Sequence, residues 1–331
     1  MMTVKSLART ALAFTAELEN SALIDNFGND LMSALAIRPR CLSPKYFYDE
    51  TGSALFDRIC ELKEYYPTRT EISLLTKHAR DIAKQIGRRA EIVEFGAGSM
   101  QKIRILLDAI RAPARYLPVD ISGAHLAASA RALQRIYPKL PVMPVVADYT
   151  GALSLPDMAV NAARRIGFFP GSTIGNLSPL EALAFLKKAA KVLQGGALLI
   201  GVDLVKDPSL LHAAYNDSKG VTASFNLNLL VRANRELCAN FDIEQFYHSA
   251  FYNAPAQRIE MHLMSRCAQQ VRVGDQYFVF TEGETIHTEN SYKFTIAGLQ
   301  ALAKKAGFQP ATVWTDDDNR FSLHWLEAPA L

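Results

Sequence analysis

The feature that most constrains this chain is a series of short apolar segments alternating with amphipathic ones, which begins near residue 90. The apolar segments have the length of strands, and the segments between them carry the apolar spacing of helices. Strands that alternate with helices form a parallel sheet covered by helices on both faces. We therefore predict strands at 91–95, 115–120, 140–148, 164–169 and 197–205, with helices at 101–111, 123–136 and 179–193.

The alternation stops after residue 206, which indicates a second domain. Residues 207–240 have helical spacing, 241–293 contain several strand-like segments, and a helix at 295–306 leads back to the sheet. The N-terminal segment also has helical spacing, carried by Leu7, Leu12, Phe14, Leu18 and Leu23. We predict an α/β fold in which 70–203 plus 294–331 form the sheet domain, and 15–69 plus 204–293 form a discontinuous α+β domain.

Composition excludes several classes of function. The net charge is only +3, from 36 basic and 33 acidic residues that are well mixed, so neither a nucleic-acid nor a membrane partner is expected. No apolar stretch approaches the ~18 residues that a membrane span needs. The four cysteines are scattered and the seven histidines lack metal-site spacing, so we expect no metal and a reduced, cytoplasmic protein. We also expect a monomer.

The first predicted strand runs into a glycine turn, "EIVEFGAGSMQK". Glu94 precedes Gly96 and Gly98, but Gln101 stands where a dinucleotide fingerprint has its third glycine. This loop alone is compatible with an altered dinucleotide site, a site for another adenosyl ligand, or a tight turn.

The ends of the next two strands favour S-adenosylmethionine, because ligands bind at the carboxyl ends of strands in such sheets. Asp120 can accept from ribose hydroxyls, Asp148 can accept from the adenine amino group, and Tyr149 can lie beside the base. S-adenosylmethionine has no pyrophosphate, and its methionine carboxylate needs donors such as Lys102. The predicted donor site comprises Gly96, Gly98, Lys102, Asp120, Asp148 and Tyr149.

Three further stretches suggest an amino-acid substrate. "FFPGSTIGN" closes the fourth strand and offers the Asn176 amide, which can both donate and accept. Tyrosines within 43–71 would attract a quaternary ammonium product through cation–π interactions, although core packing explains them equally well. Glu289, Ser291 and Lys293 alternate along an apparent strand and could face one side, or solvent.

With these residues in view, the chain resembles the histidine Nα-methyltransferase family, which makes hercynine for ergothioneine biosynthesis. The resemblance covers nearly the whole chain. Its most specific stretches are "EYYPTRTE" (64–71), "GSTIGNLSP" (171–179), "LLIGVDLVKD" (198–207), "GVTASFN" (220–226), "NRELCANFD" (234–242) and "RIEM" (258–261). It implies a Rossmann-like class I methyltransferase sheet and a second α+β domain that closes over the substrate.

The resemblance also implies roles for individual residues. Asn176 and Tyr215 match positions that bind the amino-acid end of histidine, and Glu289 and Ser291 match positions that bind its imidazole. Tyr48 matches a tyrosine near the growing methylammonium, so Tyr48 and Asn176 are the candidate catalytic residues. The implied substrate site comprises Tyr65, Gly171, Asn176, Tyr215, Thr222, Met261, Glu289 and Ser291.

The sequence departs from the family pattern at Ala97, at Met100-Gln101, and at Asn290 and Tyr292, and none of these positions has a named role. Tyr149 replaces an expected phenylalanine and should still flank adenine. A related fungal branch methylates a tryptophan derivative and should not need an imidazole-binding carboxylate, so Glu289 favours histidine. Two alternatives remain open: another aromatic amino acid as substrate, and a catalytically silent, donor-binding regulatory protein.

Overall fold

The computed structural model describes residues 27–151 and 154–330, which divide into two compact units. The first unit comprises 57–217, 252–259 and 290 onward, and the second comprises 27–56, 218–251 and 260–289. The predicted domain boundaries differ from these limits and stay a prediction. Residues 15–26 of that prediction, and the predicted helical spacing from Leu7 to Leu23, lie outside the described residues.

The elements follow the predicted order. The helices are α1 (residues 27–36), α2 (Glu50–Glu61), α3 (Tyr66–Ile86), α4 (Gln101–Ala109), α5 (Gly123–Ile136), α6 (Pro179–Val192), α7 (Pro208–Tyr215), α8 (Val221–Leu237) and α9 (Ile296–Lys305). The strands are β1 (Arg40–Cys41), β2 (Ala90–Phe95), β3 (Arg115–Asp120), β4 (Val145–Val146), β5 (Arg164–Phe169), β6 (Ala197–Asp203), β7 (Phe246–Asn253), β8 (Arg258–Ser265), β9 (Gln269–Val273), β10 (Gln276–Phe280), β11 (Thr285–Tyr292), β12 (Gln309–Thr315) and β13 (Phe321–Glu327).

The first unit is built on a seven-stranded sheet with the order β12-β13-β6-β5-β2-β3-β4. Strands β2 to β6 pair in parallel, whereas β13 pairs antiparallel with both β6 and β12. Every residue of β2 and β6 is buried, because apolar clusters cover both faces of the sheet. This confirms the α/β prediction and the return of the C-terminal segment to the sheet.

One strand is much shorter than expected. The segment 140–148 forms regular strand only at Val145–Val146, with one further bridge between Val142 and Tyr116. Pro141 and Pro144 have no N–H to donate to a ladder, so this edge of the sheet is interrupted.

The helix that follows β5 begins where the sequence indicated. Ser178 Oγ accepts from the Glu181 N–H and the Glu181 carboxylate accepts from the Ser178 N–H, with Pro179 in the first turn. This capping box fixes the start of α6, and so it fixes the loop 170–178 that follows β5.

The remaining strands form a four-stranded sheet, with the order β1-β11-β8-β7, and a β9–β10 hairpin. Asn226 of α8 packs on the four-stranded sheet. Its Oδ1 accepts from Thr288 Oγ1 at 2.8 Å, and its Nδ2 donates to the His262 carbonyl at 3.0 Å. None of the helices in the described ranges combines the length and the apolar character that crossing a bilayer requires.

Candidate active site

The glycine loop after β2 is held against the end of β3. Gly96 and Gly98 have φ of 70° and 43°, a left-handed backbone that favours glycine. The Gly96 N–H donates to the Val119 carbonyl at 2.8 Å, and the Gly98 N–H donates to Asp120 Oδ2 at 3.3 Å. Asp120 Oδ1 also accepts from the Ser122 N–H at 2.9 Å. The carboxylate that closes β3 therefore fixes the loop and keeps lone pairs for a ligand.

The space around this loop is open. A Cβ built on Gly98 would meet nothing within 4 Å, and one on Gly96 would lie 3.7 Å from Cε1 of Tyr149. The Tyr149 ring is half-buried and packs edge-on against Phe169 and Phe185. An open glycine turn, a carboxylate and a fixed aromatic ring thus lie together at the carboxyl ends of the strands.

A buried acid, Glu94, lies on β2 two residues before Gly96. Glu94 contacts the Tyr116 hydroxyl, which donates to its carboxyl group. Burial raises the pKa of Glu94 to about 8, against the opposing effects of the Tyr116 hydrogen bond and the Lys102 ammonium. Glu94 therefore carries a proton at neutral pH.

A second buried acid, Glu71 on α3, organises the loop after β5. The Gly171 N–H donates to both Glu71 carboxylate oxygens at 2.9 Å, and Lys102 Nζ lies 2.6 Å from Oε2. Gly171 has φ of 81°, and a Cβ there would lie 3.4 Å from Lys102 Nζ. The predicted residues Lys102 and Gly171 are thus brought together by Glu71, to which the sequence had assigned no role.

A buried polar network occupies the carboxyl end of β6. Asp203 accepts from the Tyr66 hydroxyl at 2.8 Å, from Lys206 Nζ at 2.5 Å and from Lys293 Nζ at 2.9 Å. We call Tyr66, Asp203, Lys206, Tyr215, Ser291 and Lys293 the Asp203 network.

Lys293 connects Asp203 to two predicted substrate residues. Its Nζ donates to Ser291 Oγ at 2.8 Å and to the Tyr215 hydroxyl at 3.2 Å, and these two hydroxyls lie 2.7 Å apart. An ammonium group has three N–H donors, and Asp203, Ser291 and Tyr215 supply three acceptors. The geometry of both hydroxyls therefore depends on Lys293.

The two lysines of the network differ in pKa. Burial lowers the pKa of Lys293, but Asp203 and Tyr215 outweigh this and hold it above its usual value. Burial lowers the pKa of Lys206 to about 8, despite the favourable Asp203 carboxylate, and the charge of Lys293 lowers it further. Lys293 is thus a permanent cation beside Tyr215 and Ser291.

Three more predicted residues lie in the first unit. Tyr65 is buried just before α3, with its ring centroid 6.2 Å from that of Tyr215. Asn176 is half-buried at the end of a 3-10 turn, Thr173–Asn176, in the loop that α6 fixes. Asp148 accepts from the Thr150 N–H at 2.8 Å, in the turn that precedes the undescribed residues 152 and 153.

The second unit contains Tyr48, Thr222, Met261 and Glu289, whereas Ser291 belongs to the first unit. Tyr48 is half-buried and packs edge-on against Phe56 and Phe225, whereas Thr222 and Met261 are fully covered. Glu289 lies on β11 and is 9% exposed. Ser291 follows two residues later on the same strand, and side chains at that spacing share one face of a strand.

Comparison with known proteins identifies the family. The model of a family described as histidine-specific, SAM-dependent methyltransferases matches residues 27–328. The chain belongs to this family. It is 42% identical over 300 residues to a histidine N-alpha-methyltransferase of Mycolicibacterium smegmatis, covering 89% of this chain and 92% of that protein. The family confirms the methyltransferase prediction and S-adenosylmethionine as the co-substrate.

Two fungal relatives are more distant. An ergothioneine biosynthesis protein 1 of Neurospora crassa is 30% identical over 311 residues, which cover 87% of this methyltransferase and 33% of the fungal protein. A 4-dimethylallyltryptophan N-methyltransferase of Claviceps purpurea is 26% identical over 342 residues, covering 94% and 97% of the two chains.

Sequence reasoning missed Glu71, Asp203 and Lys206 as parts of the site. Asp203 closes β6, two residues before the predicted end of that strand, so the strand-end rule that located Asp120 and Asp148 applies to it as well. Glu71 lies in the first turns of a helix and contacts Gly171, a hundred residues away, so no local pattern indicates it.

Proposed function

We propose that this methyltransferase transfers three methyl groups from S-adenosylmethionine to the α-amino nitrogen of L-histidine. The product is Nα,Nα,Nα-trimethylhistidine (hercynine), an intermediate of ergothioneine biosynthesis. The observation that carries the proposal is the combination of the family match over 27–328 with 42% identity to a histidine N-alpha-methyltransferase across nearly its full length.

S-adenosylmethionine supplies an electrophilic methyl group on a sulfonium, so each transfer forms an N–C bond and breaks a C–S bond. The attacking amine must be neutral, and an α-amino group titrates near ~8, so a deprotonated fraction exists at neutral pH without a strong base. The displaced proton passes to solvent. The main contribution of the protein is then positioning of the two reactants, which is worth several kcal/mol.

For the donor, we propose that Asp120 binds the ribose hydroxyls, while Asp148 and Tyr149 bind adenine. The open turn at Gly96 and Gly98 supports this assignment, because it lets a ligand approach the backbone beside Asp120. Lys102 would contact the methionine carboxylate while Glu71 holds its ammonium group in place.

For histidine, we propose two anchors that leave the amine free to turn between transfers. Tyr215 and Asn176, with Tyr65 and Gly171 beside them, would hold the carboxylate end. The charge of Lys293, 3.2 Å from the Tyr215 hydroxyl, supports this role because it favours an anion.

Glu289 and Ser291 would bind the imidazole, with Thr222 and Met261 lining the pocket. The Glu289 carboxylate can accept from one imidazole nitrogen while the Ser291 hydroxyl pairs with the other, and indole has only one ring nitrogen, which supports histidine over a tryptophan-type substrate. Tyr48 would face the methylated nitrogen, where an aromatic ring favours a quaternary ammonium by ~0.5–2 kcal/mol.

The family itself implies only that the substrate is a small molecule. We propose in addition that the protein is a monomer and is located in the cytoplasm. No disulfide joins any of the four cysteines, all of which lie in the described residues, and this supports a reducing compartment. Size-exclusion chromatography with light scattering would test the monomer, and a dimer mass would refute it.

The substrate proposal is tested by measuring kcat/KM for histidine and tryptophan side by side with the purified protein. We expect histidine to be preferred by at least ~100-fold, because indole lacks the second ring nitrogen of imidazole and would leave a polar group of the site unpaired. A preference for tryptophan, or donor binding without turnover of any amino acid, would refute histidine methylation.

A further inference from the structure

Three side chains of the second unit to which the methyl-transfer proposal gives no role converge on one face of a sheet. Glu260 and His262 are two residues apart on β8 and therefore point the same way. His287 lies on β11, the neighbouring strand. Their candidate ligand atoms all lie within 4.8 Å of one another.

The spacing of two of these atoms suits a metal ion. Glu260 Oε2 and His262 Nε2 are 3.2 Å apart. Two ligands that each lie ~2.1 Å from a tetrahedral zinc ion are ~3.4 Å apart, so this pair already has the separation of one edge of such a site.

His287 is oriented as a third ligand. Its Nε2 lies 3.0 Å from the Glu289 carbonyl oxygen, which can only accept, so Nε2 carries the proton and Nδ1 carries the lone pair. Metal-bound histidines typically use one nitrogen in this way to fix the tautomer. The His287 ring stacks on that of His262 at 4.5 Å and 16°, so it must tilt for its lone pair to point at the same ion.

Neighbouring side chains hold His262 in place and leave Glu260 and His262 only slightly exposed to solvent. Phe251 stacks on the opposite side of His262, with centroids 5.4 Å apart and planes 11° apart. Glu260 is only 7% exposed, and a largely buried carboxylate is stabilised by a neighbouring cation. The His262 side chain keeps 13% exposure, which leaves a route for an ion from solvent.

We propose that Glu260, His262 and His287 form a site for a divalent transition-metal ion of the zinc class, with water completing its coordination. Two imidazoles and a carboxylate are a ligand set that zinc uses in proteins. Because His287 must tilt, the ion binds less tightly than in a preformed structural site.

The hydrogen bond from His287 to Glu289 gives the site a consequence for the enzyme. A bound ion holds His287 in place and, through this hydrogen bond, the backbone of Glu289, whose carboxylate is proposed to bind imidazole. This consequence rests on the proposed function. Metal binding itself does not, so failure of the metal site and failure of histidine methylation are separate results.

The test uses untagged, chelator-treated protein titrated with Zn²⁺ in a calorimeter. We expect one ion per chain, and at least ~10-fold weaker binding in His262→Gln and in His287→Gln, since each removes a direct ligand. His212→Gln is the matched control, because His212 is exposed on α7 and should not affect binding. Circular dichroism checks that each variant is folded.

A second measurement uses the unaltered protein. Diethyl pyrocarbonate modification, mapped by mass spectrometry, should be suppressed by Zn²⁺ at His262 and His287 but not at His212. Unchanged affinity in both folded variants, no binding to the unaltered protein, or equal modification with and without Zn²⁺ would overturn the proposal.

Discussion

Replacing Lys293 with methionine tests whether the Asp203 network positions the substrate residues. Methionine keeps the unbranched stem but removes the ammonium that contacts Asp203, Ser291 and Tyr215. Both side chains of the Lys293–Asp203 pair are 1% exposed. Removing one member of such a pair typically costs ~3–5 kcal/mol. We expect a loss of about 3 kcal/mol in the free energy of unfolding, because Lys206 and Tyr66 still contact Asp203.

The effect on catalysis should be confined to histidine. Without Lys293, the Tyr215 and Ser291 hydroxyls lose a common donor, and one mispositioned hydrogen bond is worth ~1 kcal/mol or more. Lys293→Met should therefore raise the KM for histidine by roughly tenfold and change the KM for S-adenosylmethionine by less than about threefold.

Lys206→Met is the matched control. Lys206 also donates to Asp203, but its other hydrogen bonds go to the Tyr66 hydroxyl and the Leu204 carbonyl and not to the predicted substrate residues. Because Lys206 is also buried beside Asp203, we expect Lys206→Met to cost about 3 kcal/mol of stability as well, but to leave the histidine KM within about threefold. Steady-state kinetics and urea denaturation measure both variants. If the two variants raised the histidine KM equally, Lys293 would be a structural residue only.

Three further substitutions test separate parts of the site. Glu289→Ala should weaken histidine binding at least ~10-fold by calorimetry and leave the affinity for S-adenosylmethionine unchanged. If the variant bound both ligands as tightly as the unaltered protein, the role of Glu289 would be contradicted. Asp120→Ala should weaken donor binding by a similar factor, since ribose contacts and the Gly98 anchor are lost, and unchanged donor affinity would exclude the ribose contact. The pKa of Glu94 is raised to about 8, against ~4.3 in an unfolded chain, so the unfolded state releases this proton first. The free energy of unfolding should thus fall by up to ~1.4 kcal/mol per pH unit between about pH 5 and 8, and Glu94→Gln should flatten this slope; an unchanged slope would show that Glu94 is ionised.

The parts of the fold that follow local rules could be predicted from the sequence. Strands β2, β3 and β5 and helix α5 lie where apolar spacing placed them, and the Ser178 cap marks the start of α6. The apolar content of 140–148 predicts a continuous strand, whereas Pro141 and Pro144 interrupt it in the structure.

The site residues that could be predicted from the sequence are those that lie at the ends of strands. Asp120 lies at a strand end, as the topology requires, and contacts the glycine loop. The partners of Glu71 and Lys293 are distant in sequence, so their contacts arise only from tertiary packing.

The cluster of Glu260, His262 and His287 shows the same limit. Spacings such as H-x-x-x-H and H-E-x-x-H mark a metal site on a helix, and the seven histidines show neither. His262 and His287 are 25 positions apart and become neighbours only because β8 and β11 pair.

The most direct test of the central claim is a mass spectrum of the product formed from L-histidine and excess S-adenosylmethionine. We predict a species with three added methyl groups, all on the α-amino nitrogen by fragmentation, and no methylated product from tryptophan. Methylation on the imidazole ring, or a product that stops at one methyl group, would contradict it.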